Sequence, residues 1–237
     1  MSFERGTESP SGTERERGGS APPIPSRPGQ RLDPRVLRPD LKAVVSVSGT
    51  SSNAGKTHLA ERLITWLVGR NETVTALKVT RTHIGTCARE NDACHVCDDL
   101  EAPWRIIDDA RTIRMPRKDT GRMLAAGAAH VVWLIVQPAH MSAGIEAVLR
   151  ALPEGGVLVA EGNSFRDYVE TCDLSLMAFA PRPAMKASAR HVLDRIDAFV
   201  ARPEDMGVAE RILQAEGLGS PRVVSAAEIE TWAAVRL

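Results

Sequence analysis

The residues whose types and spacing bear most directly on chemistry stand together as Gly49-Thr50-Ser51-Ser52-Asn53-Ala54-Gly55-Lys56-Thr57. An apolar run rich in valine stops at Gly49, small and polar residues follow, and Lys56 opens a stretch with helical spacing. Small side chains let a backbone curl until successive N–H groups point inward, which makes a concave anion site. A helix starting near Gly55 adds the positive end of its dipole. In that arrangement Lys56 contacts β- and γ-phosphates, and the Thr57 hydroxyl completes the coordination of Mg²⁺. The common loop is G-x-x-x-x-G-K-[ST]; here the first glycine lies one residue earlier. The expected ligand is a nucleoside triphosphate, GTP or ATP, bound with Mg²⁺. The bland alternative is a turn that happens to contain Gly-Lys-Thr. A strand before it, a helix after it and the lack of bulk within it argue against that.

Two further residues fall where such a site needs them. Glu161 ends the apolar run "GGVLVAEG", where a carboxylate holds Mg²⁺ directly or through water, or orients an attacking group. Lys78 ends "TVTALK", so it faces the same crevice if that run is a core strand. Lys56, Lys78 and Glu161 are the candidate catalytic residues, with Thr57 and Glu161 as the Mg²⁺ ligands. Asp119 and Arg122 are weaker candidates, since a helix cap and a solvated helix face account for them nearly as well. His58, His130, His140 and His191 have no partner at ligand spacing. Cys172 reads as a small buried hydrophobe.

A second constellation is "HIGTCARENDACHVCDD". Cys94 and Cys97 form a C-x-x-C knuckle, with Cys87 and His83 upstream and His95 inside it. Thiolates at this spacing can grip one metal ion, Zn²⁺ or an iron–sulfur cluster, with His83 or His95 as a further ligand. Without a second knuckle, incidental thiols or redox chemistry stay open, and two subunits of a homodimer could each donate one.

Strands and helices must hold these groups in place. Apolar runs of strand length lie at 43–48, 73–79, 130–136, 156–160, 174–180 and 196–200. Helical spacing appears at 56–68, 119–127, 142–151, 186–195, 204–216 and 226–235. Strands that alternate with helices, apolar enough to be covered on both faces, predict an α/β fold with three layers and a mostly parallel sheet. Ligands of such sheets sit at the carboxyl ends of the strands, which is where the loop falls. Residues 1–40 have hardly any apolar side chains and read as a disordered tail; 41–237 read as one nucleotide-binding domain with an insertion at about 84–104.

Composition excludes several classes. Thirty basic and thirty acidic residues cancel, so there is no electrostatic reason to expect nucleic acid or an anionic membrane. No apolar segment approaches the roughly 20 residues that span a bilayer. The charged amino-terminal stretch lacks the apolar centre of a secretory signal, so a cytoplasmic location is expected.

The displaced first glycine resembles the loops of dethiobiotin synthetase and the cobyric acid synthase group. Other segments are more similar to molybdopterin-guanine dinucleotide biosynthesis protein B: "ALKVTRTH" with Lys78, Thr80 and His83, then "RKDTGRMLAAGAAHVVWLI", then "VLVAEGNSF". These matches run in order over about residues 43–165. Two features depart from that family, namely the synthetase-type loop and the inserted "GTCARENDACHVCDDLEAPW". The resemblance implies a P-loop NTPase fold, a role in cofactor biosynthesis and a pterin or other small-molecule substrate. The Asn-Lys-x-Asp that reads guanine in many P-loop proteins is not present in "AFVARPED", so GTP and ATP both stay open. The alternatives are a carboxylate-activating ligase in which Lys78 holds the substrate, and a metal-responsive nucleotide switch.

If Cys87, Cys94 and Cys97 share a metal, anaerobically purified protein carries about one zinc per chain or per dimer, or shows iron–sulfur colour. Elemental analysis and visible absorption check this. Metal-free protein whose Cys94→Ser variant is as stable and active as the parent leaves the cysteines without a metal role.

Overall fold

A computed structural model describes residues 31–82, 100, 102–181 and 185–237. Its strands are β1 (Ala43–Gly49), β2 (Val74–Arg81), β3 (Trp104–Ile107), β4 (His130–Val136), β5 (Val157–Glu161), β6 (Leu174–Ala178), β7 (Ala198–Ala201) and β8 (Val223–Ser225). The helices are α1 (Pro34–Leu37), α2 (Lys56–Gly69), α3 (Ala110–Ile113), α4 (Asp119–Ala125), α5 (Met141–Ala151), α6 (Asn163–Tyr168), α7 (Ala187–Arg190), α8 (Met206–Ala215) and α9 (Ile229–Ala233).

The strands make one sheet in the order β3-β4-β2-β5-β1-β6-β7-β8. Only the edge strand β3 runs antiparallel to its neighbour. Every residue of β1, β5, β6 and β7 is buried, because helices cover both faces and leave no polar side to the sheet. On one face Leu59, Leu63 and Leu67 of α2, Met123 of α4 and Ile229 of α9 pack on Val45, Val47, Val159 and Leu176. On the other, Ile145 and Leu149 of α5 and Phe165 of α6 meet Val44, Leu77 and Leu158. Farther along that face Ala189 of α7 and Leu213 of α8 meet Met177 and Phe199. The expected three-layer α/β arrangement is present. Among the described residues no helix is long and apolar enough to cross a membrane.

All six expected strands form, and the differences have local causes. β3 begins where the stretch read as an insertion ends, and at four residues it is too short to show alternation. β8, with three residues, and α6, with six, are likewise below the length at which a period can be read. The single helix expected at 186–195 is α7 followed by a 3₁₀ turn at Leu193–Arg195.

The expected tail boundary at residue 40 moves toward the start of the chain. Leu32 exchanges backbone hydrogen bonds with Tyr168 and Glu170, each 2.8 Å. Asp33 caps α1 through a 2.9 Å bond from the Arg35 N–H. Arg38 is buried and donates to the carbonyl oxygens of Leu149, Leu152 and Pro153 at 2.9, 2.8 and 2.6 Å. These are carbonyls at and just after the end of α5, which a helix leaves without internal partners. Asp40 holds the other edge of the guanidinium at 2.8 and 2.7 Å and accepts from the Gly155 N–H at 2.6 Å. A low apolar count misleads here because hydrogen bonds to one arginine do the anchoring.

Arg38→Ala leaves those carbonyls and Asp40 without their donor. It is expected to lower stability by about 2–4 kcal/mol, since bonds to a charged group contribute roughly 1.5–3 kcal/mol each and are not additive. A urea midpoint shifted down at unchanged slope checks this, and an unshifted midpoint refutes the anchoring role.

Candidate functional site

The loop joins the carboxyl end of β1 to the start of α2. Gly49 is held on both backbone groups by one side chain: its N–H donates to Asn163 Oδ1 at 2.8 Å, and its carbonyl accepts from Asn163 Nδ2 at 3.0 Å. Glycine is required at 49 because a Cβ there would lie 2.6 Å from Lys56 Cγ. Lys56 passes back over that bare backbone, and its ammonium donates to the Ser51 carbonyl at 3.3 Å. Gly55 precedes α2 with φ +93°, a left-handed conformation open to glycine at little cost, and Asn53 also has positive φ. Thr50 secures the loop to the next strand, donating from its N–H to the Ala178 carbonyl at 3.0 Å and accepting at its hydroxyl from the Ala180 N–H at 3.1 Å.

Beyond Thr50 the backbone donors stay open. Among the described residues no protein acceptor takes a hydrogen bond from the N–H groups of Ser51 through His58. α2 has no side-chain cap, so the first-turn donors of a 14-residue helix join those of the loop in one unbroken run. Ser51, Ala54, Lys56 and Thr57 of this run are buried or half-buried, and a run of open donors at a helix start is an arrangement that can hold an anion.

Beside this run, three residues far apart in the chain converge on Thr57. Its hydroxyl lies 3.0 Å from Asp119 Oδ1 and 3.0 Å from Glu161 Oε2. Lys78 bridges the other two carboxylate oxygens, 2.7 Å from Asp119 Oδ2 and 2.5 Å from Glu161 Oε1. Lys78 and Glu161 face each other across β2 and β5, and Asp119 opens α4. Burial opposes the charged form of Lys78, but Glu161 and Asp119 outweigh it and raise its pKa above the ordinary lysine value. Burial also opposes ionisation of Asp119, and Lys78 and Thr57 outweigh that, holding the carboxyl below the usual range. Lys56 goes the other way. Burial pushes its ammonium below the ordinary value; Glu161 opposes that shift, while Lys78 and Lys186 add to it.

These groups line a cavity of about 400 Å³ with Ser52, Asn53, Gly55 and Arg122. A second cavity of about 690 Å³ adjoins it, sharing Asn53, Gly55 and His58, and is walled largely by Leu59, Phe179, Pro181 and Val200.

The loop residues Gly49 to Thr57, with Lys78 and Glu161, are thus brought together. Asp119 was nearly explained away as a cap, yet Lys118 holds the cap position and the Asp119 carboxylate turns to Thr57 and Lys78. Arg122 pairs with Glu61 through bonds of 2.7 and 2.6 Å. His58, read as bland, stands on the rim of both cavities. Asn163 escaped notice because a residue that holds a glycine backbone leaves no spacing signal. Cys172 is the free cysteine among the described residues, and burial raises its thiol pKa. His83, Cys87, Cys94, His95 and Cys97 lie outside the described residues. Among those described, no group of three or more His, Cys, Asp or Glu is placed to hold a metal. A hydroxyl with two carboxylates is a different donor set, of the all-oxygen kind that Mg²⁺ takes when phosphates supply the rest.

A scan against protein families finds no match, and neither does a search of curated proteins. Among solved structures the kinase domain of the Escherichia coli tyrosine kinase ETK is similar, with a TM-score of 0.29 and 8% identity over 78% of this chain and 67% of that one. So loose a likeness bears on neither fold nor function, which stand on the sheet and the loop.

Because the folded pKa of Asp119 is depressed, its ionised form stabilises the fold above the unfolded value of about 3.9, and that contribution is lost as pH falls through the folded value. Wild type is therefore expected to exceed Asp119→Asn modestly in stability at neutral pH and to lose that margin in acid, once the pH is below the folded value. Urea unfolding of both proteins at neutral and at acid pH checks this, and a difference that persists in acid refutes it.

Proposed function

We propose that the chain is a Mg²⁺-dependent P-loop protein that binds a nucleoside triphosphate in these two cavities. The observation that carries this reading is the run of open N–H groups from Ser51 to His58, closed at one end by Lys56 folded over Gly49. A polyphosphate fits such a run, since each non-bridging oxygen accepts from several donors at once.

Mg²⁺ fits the residues present. The Thr57 hydroxyl has one proton and two carboxylate oxygens at 3.0 Å, so it can satisfy only one of them. A cation among the three oxygens removes that conflict. Bound there by Thr57, Asp119 and Glu161, the ion would neutralise charge on the phosphates. Lys56 and the loop amides hold the phosphate chain, and Glu161 fixes Thr57 and Lys78 at the reacting end. In the adjoining cavity the apolar wall takes a base. Among the described residues its polar side chains include Arg62, Arg202, His58 and Asn53 but no carboxylate of the kind that selects the amide edge of guanine. GTP and ATP both fit.

Cofactor biosynthesis of the molybdopterin-guanine dinucleotide type, with a pterin or other small-molecule substrate, is the reading the sequence segments favour. Support comes from Lys78, Asp119 and Glu161, which those segments contribute separately and which meet at Thr57. The carboxylate-activating ligase is less favoured, because Lys78 is already engaged by two carboxylates. Zn²⁺ or an iron–sulfur cluster on the cysteines, and a homodimer, belong to the same proposal.

Lys56→Ala is expected to weaken triphosphate binding at least about tenfold, the effect of losing one charge-assisted contact. Glu161→Gln is expected to slow hydrolysis by about one to three orders of magnitude with binding largely kept. Calorimetry with ATP and GTP and a phosphate-release assay read the two effects. Unchanged affinity in Lys56→Ala refutes the phosphate loop, and wild-type turnover in Glu161→Gln refutes the role of the carboxylate.

A further inference from the structure

The charges around the loop do not all find partners within the protein. Arg122 takes Glu61, and Lys78 lies between Asp119 and Glu161. Lys56 has only a carbonyl, and among the described residues no carboxylate pairs with either Lys56 or Lys186.

Lys186 is remote in sequence from the loop but tied to it. Its N–H donates to the Thr50 carbonyl at 3.0 Å. Two residues on, the Ser188 hydroxyl accepts from Asn163 Nδ2 at 3.3 Å, and the same amide donates to the Gly49 carbonyl. Lys186, which caps α7, and Ser188 in its first turn thus fasten the start of that helix to the first turn of the loop. Lys56 reaches the same turn, because its stem crosses Gly49 and its ammonium ends at the Ser51 carbonyl. The two cations are near enough that Lys186 is among the charges disfavouring protonated Lys56. An exposed lysine on a connecting loop is ordinarily a solvated charge. This one is held by its backbone beside a second cation that forms no ion pair among the described residues, and an anion between the two would offset their repulsion.

We propose that Lys186 is a second cation for the terminal phosphate of the bound triphosphate, facing Lys56 across that group. The proposal rests on the nucleotide reading above. Lys56 serves the β- and γ-phosphates, so an anion that reached both Lys56 and Lys186 would be the end of the phosphate chain. A lysine suits that place, since its ammonium is a compact charge with three donors on a flexible stem. Lys186 then discriminates triphosphate from diphosphate.

The test is calorimetry in Mg²⁺ with a nucleoside triphosphate and the matching diphosphate, on wild type, Lys186→Ala and Lys186→Arg. Lys186→Ala is expected to bind triphosphate about tenfold more weakly and diphosphate within about twofold of wild type, with Lys186→Arg recovering most of the loss. The side chain is exposed and the bond to Thr50 comes from the backbone, so the variants keep the fold; matching melting temperatures verify that. If wild type binds both nucleotides and Lys186→Ala loses neither, or loses both equally, the role of Lys186 is overturned and the nucleotide reading stands. Wild type that binds neither nucleotide overturns the nucleotide reading itself.

Discussion

A carboxylate with no surface in water must be neutralised where it stands, and Glu161 is that group. Removing one partner of a buried ion pair costs about 3–5 kcal/mol, because the other charge is left uncompensated. Lys78 and Thr57 supply what Glu161 needs, one with charge and the other with a hydroxyl. They come from β2 and from the first turn of α2, so satisfying one buried charge ties together two adjacent strands and the helix that follows the loop after β1.

That tie depends on strand register. Glu161 stands opposite Lys78 on one side and opposite Val47 on the other, two residues before β1 ends at Gly49. Valines and alanines along β1, β2 and β5 set the register through their two buried faces, and a one-residue slip would exchange the faces. Lys78 would then point into the apolar layer of α5, against Ile145 and Leu158, and away from Glu161 and Asp119. Core packing and site geometry therefore specify the same alignment.

The same physics separates what could be read from the sequence from what could not. The apolar runs at β1, β2, β4 and β5 and the leucine face of α2 are long and periodic, and they announced the layers, the parallel sheet and the place of the loop. Glycine at 49 and 55 with Lys56 and Thr57 carried the site because backbone curvature and a helix start leave a spacing signature. Asp119, Asn163 and Lys186 leave none. Their contacts come from strands and helices that are not their neighbours in the chain and that bring them, Lys186 by its backbone, within about 3 Å of loop groups, and spacing along a chain holds no trace of that. Residues 31–40 were misread for a related reason, since Arg38 holds them through carbonyls of α5 that only the fold brings near.

The start of α2 shows where stability and function part. Two helices only one turn long are capped by aspartates, Asp33 ahead of α1 and Asp109 ahead of α3. The 14-residue α2, which anchors one face of the core, has glycine at its cap and no side chain to receive its first N–H groups. Serine or aspartate there would contribute about 0.5–2 kcal/mol in an ordinary helix. At position 55 the cap has φ +93°, which disfavours a side chain, and a capping oxygen would occupy the donors of the loop. The helix is left incomplete at the end that faces the cavity, and packing of Leu59, Leu63 and Leu67 keeps it in place without a cap. An anion that fills the run completes the helix, so part of its binding free energy is the capping energy the sequence leaves out.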